Sequence, residues 1–156
     1  RMAADGEVPD PDELLARLGF DPETSVLTRR QAEVLVLREQ GLRQTTIADI
    51  LGTSRANVSS VESSARENVA KAEETVSFAA AMAAPVQVRV ERGTDLYDVP
   101  SMIFDACDAA EVKVSRTAPE VLQLVTDAAS VAVDGRLVSE TFTVDVTPEG
   151  HLQVRL

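Results

Sequence analysis

Apolar residues recur every three or four positions over three stretches of the first half of the chain, a period typical of α-helices. The first stretch is centred on residues 34–37 and the second on residues 47–51. The third begins after Ser54, repeats valine and alanine as far as Ala83, and stops at Pro85. The pattern therefore predicts three consecutive helices, the third much longer than the others.

Residues with helix-capping chemistry mark the ends of these helices. Thr28 followed by Gln31 predicts a capping box, in which each side chain accepts a hydrogen bond from the other residue's backbone amide. Gly41 predicts a left-handed cap after the first helix, and the second helix is predicted to stop at Gly52. Ser54 predicts the N-cap of the third. Only a few residues are left to connect one helix to the next.

Beyond Pro85 the pattern changes to alternation, first at residues 86–90 (VQVRV), which is typical of a half-buried β-strand. Alternation and helical periods then predict a helix at 99–110, a short strand at 112–115, a helix at 119–131, and strands at 137–146 and 152–156 joined by a turn at 147–150. We therefore predict an α+β fold, with an all-α N-terminal domain followed by a small β-α-β-α-β-β domain.

The chain has 156 residues, 44% of them apolar, which suffices for one core or two small ones. Four segments are predicted: an acidic extension at 1–26, a helical domain at 27–71, a connecting helix at 72–84, and a regulatory or dimerisation domain at 85–156. The extension carries enough apolar residues for one or two helical turns, which either dock on a neighbour or stay mobile.

The helical domain has the residue spacing of a helix-turn-helix. Two helices that cross steeply need a small residue at the crossing, a glycine in the tight turn, and apolar residues that clamp the second helix. The residues that meet these needs are Ala48, Gly52 and Val58, with Ile47, Leu51 and Val61 on the inner face. This spacing indicates that the helix starting at Ser54 reads DNA.

A turn of about 100° per residue places short side chains on the face of the third helix opposite Val58 and Val61. Serine and asparagine can read base edges directly or through water, and Ala56 can contact a thymine methyl group. Arginine and glutamine near the helix starts suit phosphate contacts. The candidate DNA contacts are Arg29, Arg30, Arg43, Gln44, Thr45, Thr53, Ser54, Arg55, Ala56, Asn57, Ser59, Ser60, Ser63 and Arg66.

The distribution of charge agrees with this location. The chain carries a net charge of −11, from 26 acidic residues against 13 arginines and only two lysines. Residues 27–71 nevertheless hold six arginines and Lys71 against five acids, and they form the only segment without net negative charge. Such a segment indicates an anionic partner.

The acidic, lysine-poor composition is typical of a halophile, with an ordinary acidic protein as the alternative. In molar salt the release of counterions from DNA contributes little to affinity, so binding depends on shape, base-edge contacts and water. We therefore expect DNA affinity with a shallow, or even inverted, dependence on salt.

Other functional classes lack the residues that they need. One cysteine and one histidine cannot form a disulfide or a Cys/His zinc cluster, although metal binding by carboxylates alone stays open. No catalytic Ser/His/Asp or Cys/His set and no phosphate loop is present, so neither an enzyme nor a cofactor is predicted. Without a long apolar run or a signal peptide, a cytoplasmic protein with no membrane contact is expected.

Two motifs, Leu27-Thr28-x-x-Gln31 and the string GTSRANVS at residues 52–59, resemble those of the Tfx family of archaeal DNA-binding transcriptional regulators. The string is the most specific part, whereas the Leu-Thr-x-x-Gln start is shared with sigma-factor region 4 and LuxR-type domains. The resemblance continues through Gly93-Thr94-Asp95-Leu96 to the closing hairpin. The family commonly has threonine at position 43, so Arg43 implies that the cap of the second helix is lost or moved to Thr45.

These observations predict a sequence-specific transcriptional regulator that binds double-stranded DNA as a homodimer. Dimerisation is expected through the alanine-rich residues 69–84 or an exposed sheet edge, and a small-molecule effector is possible at the C-terminal domain. The loop at residues 92–95 is a weak anion-site candidate, because Asp95 and Asp98 oppose an anion there. Two alternatives are a protein-docking helix-turn-helix, which requires an exposed apolar patch near Val36, and a small-molecule-binding protein without an operator.

Overall fold

A computed structural model describes residues 7–156, which divide into two compact units between Val76 and Ser77. The first unit contains three helices and the first part of a fourth. They are α1 at Pro11–Arg17, α2 at Arg29–Glu39, α3 at Gln44–Leu51 and α4 at Arg55–Ala83. The three helices predicted before residue 85 are present as α2, α3 and α4. The division falls inside α4, so the four segment boundaries taken from the sequence stay a prediction.

Local hydrogen bonds explain where α2 begins and ends. The Thr28 hydroxyl accepts from the Gln31 amide at 3.2 Å, and the Gln31 side chain accepts from the Thr28 amide at 3.0 Å. Gly41 follows the helix with a φ of 86°, and its amide donates to the Arg38 carbonyl at 2.9 Å. The predicted capping box and the left-handed glycine are both confirmed, since each needs only residues close in sequence.

The core of the first unit joins α1, α2, α3 and the start of α4. Val34, Leu37, Ile47 and Val58 are completely buried there, and Leu15 of α1 is only 4% exposed in the same cluster. Residues 11–17 of the predicted acidic extension therefore form part of this core, packed against α2 of their own chain. Residues 1–6 of that extension lie outside the described residues.

The second unit contains the end of α4 from Ser77, a three-stranded antiparallel sheet in the order β1-β4-β5, a two-stranded hairpin and two further helices. The elements are β1 at Val86–Val90, α5 at Val99–Ala109, α6 at Ala118–Ala128, β2 at Val133–Asp134, β3 at Leu137–Val138, β4 at Phe142–Val146 and β5 at Leu152–Arg155. The α+β class is confirmed. No helix within residues 7–156 combines the length and apolarity that a bilayer crossing requires.

One face of the three-stranded sheet carries the core of this unit. Val88 pairs with Val144, and both pack with Ile103 of α5 and Val125 of α6. Cys107 is 1% exposed in the same cluster, as expected for a small core residue. The other face of the sheet is polar and holds Asp145, which is 1% exposed and ion-paired with Arg155.

Two strand predictions and one helix end are wrong. Residues 112–115 form no strand and pair with none within residues 7–156, because their alternation reflects the partial burial of Val112 and Val114 against the core. Residues 137–146 form two strands, since the amides of Ser139 and Glu140 both donate to the Ala132 carbonyl and bend the chain. The helix predicted to reach residue 131 ends at Ala128 and is followed by a 3₁₀ turn at Ser130–Ala132.

Candidate nucleic-acid interface

Helices α3 and α4 form a helix-turn-helix whose crossing has the predicted residues. Ile47 and Val58 are fully buried, and Ala48 is 4% exposed at the crossing. Gly52 ends α3 with a φ of 67°, and the Thr53 amide donates to the Ala48 carbonyl at 2.9 Å. The left-handed glycine lets the chain reverse within residues 52–54, so that α4 starts directly beside the end of α3.

The first turn of α4 is held by its own polar side chains. The Ser54 hydroxyl accepts from the Asn57 amide at 3.1 Å, which confirms the predicted N-cap. The Asn57 side-chain amide donates to the Thr53 hydroxyl at 2.9 Å. Arg55 is the first residue of the helix and is exposed. These two hydrogen bonds hold Asn57 in place in the first turn of α4.

The serine-rich face of α4 is open to solvent in the first unit. Ala56, Ser60 and Ser63 are exposed and Ser59 is half-buried, whereas Ala65 on the opposite side is completely buried. These side chains are short, so a nucleic-acid groove could approach the helix backbone closely. The face has the orientation predicted from helical periodicity.

Glu62 lies on the inner side of α4, is 8% exposed, and connects three helices. Its Oε1 accepts from Gln44 Nε2 of α3 at 3.1 Å, and its Oε2 accepts from Arg66 Nε at 2.8 Å. Arg38 Nε of α2 is 2.9 Å from Oε1, in an ion pair without hydrogen-bond alignment, while Arg38 Nη1 donates to the Leu42 carbonyl. The candidates from sequence did not include Glu62. Its position beside Val61, on the inner face of the helix, and four residues before Arg66 was a signal for a partly buried ion pair.

The environment of Glu62 favours its charged form on balance. Burial by itself opposes ionisation, but the hydrogen bonds from Gln44 and Arg66 and the charges of Arg38 and Arg66 outweigh it, so the pKa of Glu62 lies below its ordinary value. Two of the predicted DNA contacts, Gln44 and Arg66, are therefore engaged inside the protein.

Most cations of the helical unit already have carboxylate partners. Arg29 Nη2 lies 2.6 Å from Asp12 of α1, and Arg30 lies 3.9 Å from Glu33. The Arg29–Asp12 contact raises the pKa of Arg29, first through the hydrogen bond itself. Lys71 lies 3.1 Å from Glu67. The contact between Asp12 and Arg29 joins residues 17 positions apart, so sequence reasoning did not find it.

Arg43 and Arg55 are exposed and have no carboxylate partner among residues 7–156. Arg43 occupies the N-cap position of α3 without a side-chain cap bond, and α3 begins at Gln44, so the cap implied by the family is lost and not moved to Thr45. Thr45 is exposed in the first turn of that helix. Each helix of the motif thus begins with a free guanidinium near unpaired backbone amides, an arrangement that favours anions.

The loop at residues 92–95 does not offer comparable amides. The Gly93 amide donates to the Val138 carbonyl at 2.8 Å, and the Thr94 amide donates to the Glu91 carbonyl at 3.1 Å. Asp95 accepts from the Tyr97 amide and pairs with Arg136, and these contacts lower the pKa of Asp95. These loop amides already donate to carbonyl groups of the protein, which further weakens the case for an anion site here.

A helix-turn-helix with exposed cations at the starts of both helices defines the class of DNA-binding proteins that use this motif. Residues 25–71 match the family described as Sigma-70, region 4, and residues 72–154 match the family described as DNA-binding protein, TFX, C-term. The two matches together cover residues 25–154, which leaves out α1 of the first unit and includes nearly all of the second unit.

Whole-chain relatives agree with these matches. The chain is 53% identical over 146 residues to a Haloarcula marismortui protein named "Putative transcriptional regulatory protein", covering 94% of this chain and 92% of that relative. It is 32% identical over 130 residues to the DNA-binding protein Tfx of Methanothermobacter thermautotrophicus, covering 83% and 94%. The chain therefore belongs to the Tfx family of DNA-binding transcriptional regulators. The Haloarcula relative fits the expected halophilic origin.

Proposed function

We propose that the protein regulates transcription by sequence-specific binding of two copies to double-stranded DNA, each copy placing the start of α4 in the major groove. The observation that carries this proposal is the pair Arg43 and Arg55, exposed and unpaired within residues 7–156, at the first turns of the two motif helices. Recognition helices of this motif contact base edges with their N-terminal residues.

The side chains divide into contacting and positioning residues. Arg43 and Thr45 at the start of α3 suit backbone phosphates, as does Arg29 once it is released from Asp12. Arg55 suits a guanine edge or a phosphate. Ala56, Asn57 and Ser60 suit base edges and thymine methyl groups, directly or through water. Gln44 and Arg66 orient the motif through Glu62.

The protein-docking alternative required an exposed apolar patch near Val36. Val36 is 8% exposed and belongs to the core of the helical unit. This burial favours DNA over a protein partner for the motif. A small-molecule effector stays part of the proposal for the second unit, and ligand-dependent rises in melting temperature would identify it.

Replacing Arg55 and Asn57 together with alanine should weaken binding to DNA selected by the wild-type chain by about ten- to a hundredfold, and should reduce discrimination against unrelated DNA. Base-edge contacts contribute to this preference, so the specific affinity should fall more than the non-specific affinity. Fluorescence anisotropy in molar KCl, with selected and scrambled duplexes, measures both.

Ser64→Ala is the matched control, because Ser64 is exposed on the same helix but lies outside the proposed contacts. Melting curves must show that the double variant is folded, since Asn57 also bonds Thr53. Unchanged discrimination by a folded double variant would exclude this reading face.

The salt dependence of binding should report the number of free cations. With Arg43 and Arg55 as phosphate-neutralising groups, log affinity should fall with log salt at a slope of about −2 per bound copy, at salt concentrations where electrolyte behaviour is simple. Asp12→Asn removes the partner of Arg29 and should steepen the slope by about one.

Glu13→Gln is the control for this measurement, since it removes a carboxylate from the same helix but releases Arg17, which lies outside the proposed contacts. Anisotropy titrations from low to high KCl give all three slopes. Equal slopes for the two variants would show that Arg29 does not meet phosphate.

A further inference from the structure

The last two turns of α4 expose large apolar side chains. Phe78 is 61% exposed and Met82 is 66% exposed, and both belong to the second unit. They are four residues apart and therefore lie on one side of the helix, together with the exposed Ala79 and Ala83. These four residues form the outer face of α4.

The opposite side of the same turns is fixed to the polar face of the sheet. Gln153 of β5 donates to the Ser77 hydroxyl at 2.8 Å, and Gln87 of β1 donates to the Ala81 carbonyl at 2.6 Å. Ala81 is 6% exposed. The helix cannot turn its apolar side inward without breaking these bonds. This part of α4 therefore faces a polar sheet surface on one side and exposes its large apolar side chains to solvent on the other.

The charge around the outer face limits what can cover it. Residues 75–88 include no charged residue, although 26% of the chain is charged and the net charge is −11. Over much of so acidic a chain, contact between two copies would bring carboxylates together, and like charges brought together across an interface oppose association. Residues 75–88 themselves bring no carboxylate into a contact between two copies.

The outer face is also complementary to itself. A two-fold contact places the same patch on both subunits, and a patch that combines large and small side chains can interlock with its own copy. Phe78 and Met82 project beside Ala79 and Ala83, where the short methyl groups leave room for side chains of a second copy. Apolar area at such a site contributes to association in proportion to the surface removed from water.

We propose that Phe78, Ala79, Met82 and Ala83 form the surface through which a second copy of this chain docks in a two-fold contact. The inference deepens the proposed function, because a second copy would supply the second reading helix. Dimerisation itself does not depend on DNA, so it can be measured separately.

Sedimentation velocity of the full chain across a concentration series in molar KCl tests the proposal. The wild-type chain should form dimers. Phe78→Glu and Met82→Glu should each raise the dimer dissociation constant by at least about a hundredfold, because a two-fold contact would bury two new carboxylates, one from each subunit. Val131→Glu should leave the constant unchanged, since Val131 is 75% exposed in the same unit but lies outside the outer face.

Each other outcome contradicts the proposal. A wild-type chain that stays monomeric would assign the face to a different partner, and dimers that survive both glutamate variants would place the interface elsewhere. Dissociation by Val131→Glu as well would show a non-specific charge effect. Dimers of the wild-type chain that select no DNA would instead overturn the proposed function while leaving the docking surface in place.

Discussion

Replacing Glu62 with alanine is expected to lower the free energy of unfolding by about 3 kcal/mol, since removing one member of a buried ion pair leaves the other uncompensated. Most of the loss should come from Arg38, whose side chain is 35% exposed, and from the Gln44 amide. Arg66 should contribute little, because its side chain is 59% exposed and water can replace the carboxylate. Urea or thermal unfolding of the full chain measures the change.

Glu67→Ala provides the matched control on the same helix. Glu67 pairs with Lys71 at the same i to i+4 spacing that joins Glu62 to Arg66, but its side chain is 66% exposed. Its removal should change stability by only a few tenths of a kcal/mol. Equal losses for the two variants would show that burial and the links to α2 and α3 do not matter.

The contribution of Glu62 should also depend on pH. Because the folded-state pKa of Glu62 is lowered, its ionisation stabilises the fold above the ordinary value of 4.5, and this contribution is lost as the pH falls through the folded-state pKa. The stability difference between the wild-type chain and Glu62→Gln should therefore be largest near neutral pH and should shrink in acid. A difference that stays constant with pH would mean that Glu62 is not held as a carboxylate.

Gly150→Ala is expected to destabilise the second unit by about 3 kcal/mol. Gly150 has a φ of 86°, and a Cβ built there would lie 2.0 Å from the Lys113 carbonyl oxygen. Both the strained backbone and the displacement of residues 112–114 contribute. The turn between β4 and β5 therefore depends on glycine for its fit against another segment as well as for its own geometry.

Gly135→Ala separates these two costs. Gly135 also has a positive φ, 59°, but a Cβ there meets nothing within 4 Å. This variant should cost only the backbone strain, about 1–2 kcal/mol. Thermal unfolding of both variants measures the difference, and equal melting temperatures would contradict the close packing at Lys113.

Predictions from the sequence were accurate where the determining interactions lie within one helical turn. The capping box at Thr28, the N-cap at Ser54 and the glycine ends of α2 and α3 each depend on neighbours in the chain. The buried residues of the helix-turn-helix were predicted correctly for the same reason, because the helical period alone places Val58 on the buried face and Ser60 on the exposed face. Family resemblance added the DNA-binding class, which periodicity by itself leaves open.

Strands were less predictable, because a strand requires a partner that the local pattern does not name. Residues 112–115 alternate like a strand but pair with none within residues 7–156, whereas the two-residue strands of the β2-β3 hairpin were too short to stand out. Alternation reports which side chains are buried, and hydrogen-bond pairing is decided by the rest of the fold.

The sequence by itself determined the helices α2 to α4, their caps, the solvent-exposed serine-rich face of α4 and the excess of cations in residues 27–71. Only the tertiary structure decided which cations are free. Asp12 reaches Arg29 from another helix, and Glu62 joins Arg38, Gln44 and Arg66 across three helices. The physical reason is distance: helix formation depends on neighbours along the chain, while charge pairing depends on side chains that only packing brings together.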